Sequence, residues 1–249
     1  MKELQKLLSR TRMAVERYGM IEDGDTVMVG VSGGKDSLAL LCTLSELRKF
    51  LPVRFDILAF TLDMGFHLSE TSGAAYSDHG EVRELCDRLG VEYIVRHTEI
   101  AKIIFDVRRE KNPCSLCSRM RRGALADAAN ELGANKLALG HHFDDAAETM
   151  MLNLFFEGRI GCFSPVTRME RSGLTVIRPF VMTEEKLIKA FVKKASLPVE
   201  KSPCPADKNT ERESMKQYLF EFERQHRGLY RRIVGALERG GIDGWKEGK

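Results

Sequence analysis

Six consecutive residues, Ser32-Gly33-Gly34-Lys35-Asp36-Ser37, carry the groups that a bound phosphate needs. The apolar run Val27-Met28-Val29-Gly30-Val31 leads into them, and a helical pattern (Leu38, Leu40, Leu41, Leu44, Leu47) follows at once. Glycines let backbone N–H groups turn inward, and the start of a helix adds partial positive charge. Lys35 brings a full charge, and Ser32 and Ser37 bring hydroxyls. The spacing is not that of the common phosphate loop, which needs four residues before its Gly-Lys pair and then Ser or Thr. Here three residues separate Gly30 from Gly34, and Asp36 follows the lysine. No G-x-G-x-x-G fingerprint is present either. The bland alternative is a glycine turn that binds nothing.

Two more groups fall at strand-to-helix junctions. Leu139-Gly140-His141-His142-Phe143-Asp144-Asp145-Ala146-Ala147-Glu148-Thr149 brings two histidines and two aspartates together. Asp144 or Asp145 can cap the helix and can also hold Mg2+ through oxygen, where the ion would neutralise charge on a leaving pyrophosphate. Asp63, in Asp63-Met64-Gly65, ends another apolar run and is either a turn residue or a site carboxylate.

The chain has six cysteines. Cys42 and Cys86 lie in apolar helical patterns and read as small core residues. Cys114 and Cys117 form a C-x-x-C at a helix start, beside Arg119, Arg121 and Arg122, a setting that favours thiolates. Cys204, in Ser202-Pro203-Cys204-Pro205, is the best third ligand. Three thiolates leave a closed zinc site incomplete and suit an iron–sulfur cluster with one iron open. A thioredoxin-like redox pair is the other reading of the C-x-x-C. Cys162, in a glycine-rich loop, is ambiguous.

The loop Ser32–Ser37 resembles the pyrophosphate loop (PP-loop) of the ATP pyrophosphatase superfamily, whose members split ATP into AMP and pyrophosphate. Taken with Pro113-Cys114-Ser115-Leu116-Cys117-Ser118-Arg119-Met120-Arg121-Arg122-Gly123, the Leu-Gly-His-His-x-Asp-Asp-x-x-Glu-Thr stretch, Val176-Ile177-Arg178-Pro179 and Cys204, the chain resembles the tRNA 2-thiocytidine synthetase family from about Met1 to Met215. The resemblance implies an ATP-dependent tRNA thiolase. ATP would lie on Ser32, Gly33, Gly34, Lys35, Asp36, Ser37, Gly140 and His141, with Lys35, Asp63 and Asp145 as catalytic residues and Mg2+ on Asp144 and Asp145. A [4Fe-4S] cluster would sit on Cys114, Cys117 and Cys204. A base, implied to be cytidine in the anticodon loop, would be adenylated on its 2-oxo group and then take sulfur from a cysteine desulfurase or free sulfide. The chain departs from the family at Ala206 and Asp207, where a second late cysteine is common, and in the loops at Gly158–Val166 and after Asp63. A lysidine-type ligase with structural zinc and a nucleotide-binding redox sensor are the competing readings.

These groups need a scaffold that brings them together. The pattern alternates strand and helix: strands at Thr26–Ser32, Phe55–Asp63, Val91–Thr98, Lys136–His141 and Leu174–Pro179; helices at Lys35–Lys49, Ser77–Leu89, Ser115–Leu132, Asp144–Glu157 and Thr183–Ala195, the last capped by Thr183. Such alternation predicts an α/β fold, a parallel sheet between two helical layers, with ligands at the carboxyl ends of the strands. With the resemblance, the fold class is a PP-loop, adenine nucleotide alpha hydrolase-like three-layer fold with a small C-terminal helical extension. The expected divisions are a basic N-terminal helix over 1–24, the PP-loop domain over 25–196, and a helical tail over 197–249 carrying the third cysteine.

The 249 residues suffice for a full α/β core, and 43% hydrophobic with 30% charged residues is ordinary for a globular chain. No apolar run approaches the roughly 20 residues of a membrane span, and the N-terminal helix lacks a signal-peptide core, so a cytoplasmic protein is expected. The net charge is only +3, but bases cluster. Lys2, Lys6, Arg10, Arg12 and Arg17 form one group. Lys102, Arg108, Arg109, Lys111, Arg119, Arg121 and Arg122 form a second, and Arg224, Arg227, Arg231 and Arg232 a third. Clusters of this kind fit a polyanion such as tRNA. Sheet enzymes of this size often pair, so a homodimer is an open expectation.

Overall fold

The computed structural model describes residues 2–109, 113–207 and 210–247. Lys111, one of the clustered bases, lies outside them. The elements run α1 (Lys2–Tyr18), β1 (Asp25–Gly30), α2 (Lys35–Leu47), β2 (Phe55–Asp63), α3 (Gly80–Leu89), β3 (Glu92–His97), α4 (Ile100–Lys102) with a wider turn over Ile103–Val107, and α5 (Pro113–Glu131). They continue with β4 (Lys136–Ala138), α6 (Phe143–Phe156), β5 (Val166–Arg168), β6 (Thr175–Ile177), α7 (Glu185–Ala195), α8 (Glu211–Gln225) and α9 (Leu229–Arg239).

The six strands form one sheet in the order β3-β2-β1-β4-β6-β5. All neighbours are parallel except the edge pair β5–β6. From β1 the chain winds outward through β2 to β3, then returns to place β4 on the other side of β1. The order therefore reverses between β1 and β4, and a crevice opens beyond their carboxyl ends, where open α/β sheets bind ligands. The phosphate loop follows β1 and the His-Asp stretch follows β4, so both face that crevice.

Alternation along the strands fills both faces. Val27, Val29 and Val31 join a core with α1, α2, α7 and α9, whereas Met28 points to the second face, where Leu58, Phe60, Leu125, Ala128, Ala129 and Leu137 pack. The near-continuous apolar run of β1 is what a central strand covered on both sides requires. Leu7, Leu8, Ala14, Val15 and Tyr18 make a buried stripe on α1 and leave Lys2, Lys6, Arg10 and Arg12 exposed. The C-terminal segment returns to the same core. Trp245 is buried edge-on against Tyr18, with ring centroids 6.3 Å apart, and its Nε1 donates to the Phe163 carbonyl at 2.9 Å.

The structure corrects the sequence reading in several places. The edge strand β5 runs antiparallel, α3 starts at Gly80, and β4 ends at Ala138. Thr183 is fully buried and does not cap α7; Glu184 holds that position, and the carboxylate of Asp144 accepts from the Glu185 N–H at 2.8 Å.

Gly140 keeps β4 close to α2. A Cβ there would lie 3.0 Å from the Asp36 carbonyl carbon and 3.2 Å from its Cβ. Gly140→Ala should cost about 1–3 kcal/mol by overpacking, or about 2–4 °C in Tm per kcal/mol, and weaken the nucleotide binding that the resemblance implies. Calorimetry and nucleotide titration that both match the wild type would refute this close fit.

Candidate active site

The turn after β1 places Gly33 at φ +75°, in the region that favours glycine, and the next residue, Gly34, is the N-cap of α2. Ser37 knots the turn. Its Oγ accepts from the Ser32 N–H at 3.1 Å and donates to the Gly34 carbonyl at 2.9 Å. The loop is thus held open by its own hydroxyls.

Lys35 stands at the start of α2 between two carboxylates, with Nζ 2.7 Å from Asp36 Oδ2 and 3.0 Å from Glu185 Oε1. Burial alone would lower its pKa, but Asp36 and Glu185 outweigh burial and raise it, so the ammonium stays charged. Glu185 also meets Lys189 at 2.9 Å and Lys216 at 3.0 Å. Against its burial, these three cations hold its carboxyl far below the usual range. A cleft of about 690 Å³, lined by Asp144, Glu148, Glu185, Lys216 and Tyr230 among others, opens between α6, α7, α8 and α9.

The His-Asp stretch forms a reciprocal cap. The His142 N–H donates to Asp145 Oδ2 at 2.8 Å, and the Asp145 N–H donates to His142 Nδ1 at 3.3 Å. In the neutral ring the proton then sits on Nε2, which faces Asp36 Oδ1 at 3.8 Å. His142, not an aspartate, holds the N-cap position of α6. His141 is half-buried, and its buried Nδ1 has no partner among the described residues; desolvation, aided by Arg178, lowers its pKa to about 4 and keeps the ring neutral. Arg178 donates to the Ser164 carbonyl at 2.6 Å and lies 5.2 Å over the Phe163 ring. Asp63 accepts from the Gly65 N–H at 2.9 Å and pairs with His97 Nδ1 at 2.7 Å, so both its oxygens are engaged at the end of β2.

Cys204, far along the chain, lies near enough to Cys114 and Cys117 for their charges to interact. Burial raises the pKa of Cys117, and the neighbouring thiols of Cys204 and Cys114 raise it further, against Arg121. Burial also raises Cys204, while the Ala206 and Asp207 N–H groups oppose the rise; the Asp207 N–H donates to the Cys204 carbonyl at 3.0 Å. Among the described residues no three of His, Cys, Asp and Glu are placed to hold one metal ion. A single ion with thiolate bonds of about 2.3 Å draws its ligands within about 4 Å of one another. A cluster spreads its thiolates over different irons. Three cysteines are a soft donor set that suits a cluster, each thiolate on a different iron. Cys42 and Cys86 are buried, as their pattern implied. Cys162 is directed at the Ala146 carbonyl, and burial pushes its thiol up to about 12.

The strap from Ser196 to Asp207 joins the cysteines to the phosphate loop. The Glu200 N–H donates to the Gly33 carbonyl at 3.0 Å, and four residues later comes Cys204. A second tie reaches the other two cysteines. Asp106, in the turn that packs against α5, accepts from Thr71 Oγ1 at 2.7 Å and from Ser69 Oγ and the Glu70 and Thr71 N–H groups at 3.1 Å. Ser72 Oγ donates to the Pro203 carbonyl at 3.1 Å. The residues 69–72 thus link the segment before Cys114 to the residue before Cys204. Glu200, Asp106 and Ser72 were not singled out from the sequence, and Glu185 reads there only as a first-turn acid of its helix. Each is a lone polar residue whose partner is distant in the chain, and only Glu185, next to Glu184 at a helix start, had a local signal.

A phosphate loop at a sheet's reversal point, under the strap that carries Cys204, defines a nucleotide-binding α/β domain. The family model described as the PP-loop domain matches residues 3–223. A tRNA-cytidine(32) 2-sulfurtransferase of Cupriavidus taiwanensis is 38% identical over 93% of this chain and 73% of its own. One of Geobacter metallireducens is 38% identical over 95% and 90%. Among solved structures, the U34-tRNA thiolase of Methanococcus maripaludis with its [4Fe-4S] cluster superposes with a TM-score of 0.76 at 25% identity, covering 95% of this chain and 78% of that one. The chain belongs to the PP-loop family and, within it, to the group of these tRNA sulfurtransferases.

Two results test the site. Burial, with Asp145 beside it, raises Glu148 to about 8, against Lys216 and Arg212. The folded chain then keeps a proton that the unfolded chain loses above its ordinary value of 4.5, so stability falls as pH rises through that window and levels off above about 8. In chelator, Glu148→Gln should remove the fall, and its Tm advantage over wild type should grow from about pH 5 to about pH 8; a constant difference would contradict the assignment. Asp106→Ala should make the Glu70 and Thr71 amides exchange about tenfold faster or more, and should slow disulfide formation between Cys117 and Cys204 in metal-free protein. Unchanged exchange would show that Asp106 is not the tie.

Proposed function

We propose that this chain is an ATP-dependent tRNA sulfurtransferase that replaces the 2-oxo group of a cytidine by sulfur, with cytidine 32 as the target its relatives' names indicate. The observation that carries the reading is the Gly33–Glu200 main-chain bond, which sets the strap of Cys204 across the phosphate loop. Activation and sulfur delivery can then act on one base.

Phosphates of ATP lie on the backbone N–H groups and hydroxyls of Ser32–Ser37, with Lys35 balancing their charge. Gly140 permits the close approach of the second wall and His141 offers a neutral ring. The base carbonyl oxygen attacks the α-phosphorus, the bond to pyrophosphate breaks, and the oxygen becomes part of an AMP leaving group. Asp144 and Asp145 each use one oxygen as a helix cap, and the other oxygens are where Mg2+ would be held. Asp63 positions the rim at β2 through Gly65 and His97. When bound, a [4Fe-4S] cluster on Cys114, Cys117 and Cys204 supplies an iron without a protein ligand, at which sulfur can be carried. Sulfur replaces the oxygen at C2, and AMP departs with it. Arg119, Arg121 and Arg122 are exposed beside the cysteines and hold the RNA backbone. The donor is a cysteine desulfurase or free sulfide, and the working form is a homodimer. Among the described residues no helix is long and apolar enough to cross a membrane, which is consistent with work on tRNA in the cytoplasm.

The test is mass spectrometry of tRNA nucleosides from cells lacking the protein, with in vitro turnover of ATP, tRNA and sulfide. A 2-thiocytidine that disappears, and pyrophosphate formed with thiolation, are expected. A colourless zinc protein would favour the lysidine-type ligase, and ATP binding without turnover a sensor. Cys114→Ser, Cys117→Ser and Cys204→Ser should each lose iron and thiolation, while Cys162→Ser keeps both. Full activity in Cys204→Ser would remove the third ligand.

A further inference from the structure

The loop between β2 and α3, residues 64–79, belongs to neither the phosphate loop nor the cysteine trio, yet it is fastened to both. Asp106 grips its residues 69–71, Ser72 donates to the Pro203 carbonyl, and Ser77 Oγ lies 3.5 Å from Glu200 Oε1. Between the last two anchors the loop holds out Tyr76, 61% exposed. Single exposed aromatics are ordinary, but this one sits in a group of three rings. Tyr76 meets His67 edge-on at 5.0 Å between centroids and lies near-parallel to His97, 25° apart in plane at 6.5 Å. The His97 ring is itself set by Asp63 at 2.7 Å, on the rim beside the phosphate loop's own strand.

We propose that Tyr76, braced by His97 and His67, is the platform on which an unpaired base of the RNA substrate stacks. The proposal rests on the tRNA reading above. A planar, water-facing ring that rests against two others matches the one feature that every nucleobase shares, its π-face. Bases splayed from RNA loops are held on Tyr and His rings in this way. The position is apt, because the same loop touches the strap over Gly33 and the residue before Cys204. Charge also fits. Arg108 and Arg109 are exposed, and Arg109 Nε donates to the Asp106 carbonyl at 3.3 Å, next to the grip on residues 69–71, so exposed cations lie beside the anchored start of the same loop, where a phosphate backbone would pass.

Full-length Tyr76→Ala and Tyr76→Phe proteins separate the outcomes, with Tm as the check on folding. The platform predicts that Tyr76→Ala raises the Kd and KM for tRNA by about tenfold to a hundredfold, leaves the Kd for ATP measured without RNA at the wild-type value, and that Tyr76→Phe restores RNA binding. A 2-aminopurine placed in the anticodon loop should be quenched by the wild type and not by Tyr76→Ala. Unchanged tRNA affinity in Tyr76→Ala overturns the proposal. So does a matching loss of ATP affinity, which would put the ring on adenine. A wild-type protein that neither binds nor thiolates tRNA would overturn the functional reading itself, a result distinct from a wild type that thiolates while Tyr76→Ala does so equally well.

Discussion

A single main-chain hydrogen bond, from the Glu200 N–H to the Gly33 carbonyl, governs the geometry of this protein. It binds a glycine in a left-handed turn to a strap that enters from the far end of the chain. Without it the phosphate loop would still follow β1 and the C-x-x-C would still open α5, but only the Ser72–Pro203 tie would hold the strap of Cys204 near them. The side chain of Glu200 presses the point, since a Cβ at Gly33 would lie 2.7 Å from its Oε2. Glycine is therefore needed twice at that position, once for its φ and once for room.

Around this bond the carboxylates act first as structure. Asp145 closes the cap of α6, Asp144 closes that of α7, and Asp63 closes the turn after β2. Each sits at the mouth of the crevice because strand ends and helix starts meet there, and helix starts present unpaired N–H groups. The acids that chemistry would use are thus fixed by the amides they cap, which sets their orientation before any substrate arrives. The cations follow the same economy: Lys35 and Lys216 converge on one glutamate.

Most of the fold was legible because the central strands are covered on both faces. The run Phe55–Asp63 is apolar and bounded by charged and glycine residues, and β2 spans those same residues. The edge was not legible: β5 is three residues long, one of them Arg168, and its direction depends on a partner rather than on its own pattern. Thr183 before two glutamates obeys the local rule for a cap, yet the side chain is fully buried and the cap arrives from Asp144 on a different helix. The phosphate loop and the C-x-x-C could be read because their residues are adjacent and chemically distinctive. Asp106, Ser72 and Glu200 could not, since a lone polar side chain in a loop carries no signal until the fold supplies its partner.

The meeting of Lys35, Lys189 and Lys216 on Glu185 carries a consequence for how an anion enters. A triphosphate that draws Lys35 away replaces one negative neighbour of that lysine with another. Glu185 keeps two ammonium groups and so remains ionised without taking up a proton. On the proposed reading, nucleotide would exchange one counter-ion of Lys35 for another, with the helix start that Asp144 caps left undisturbed.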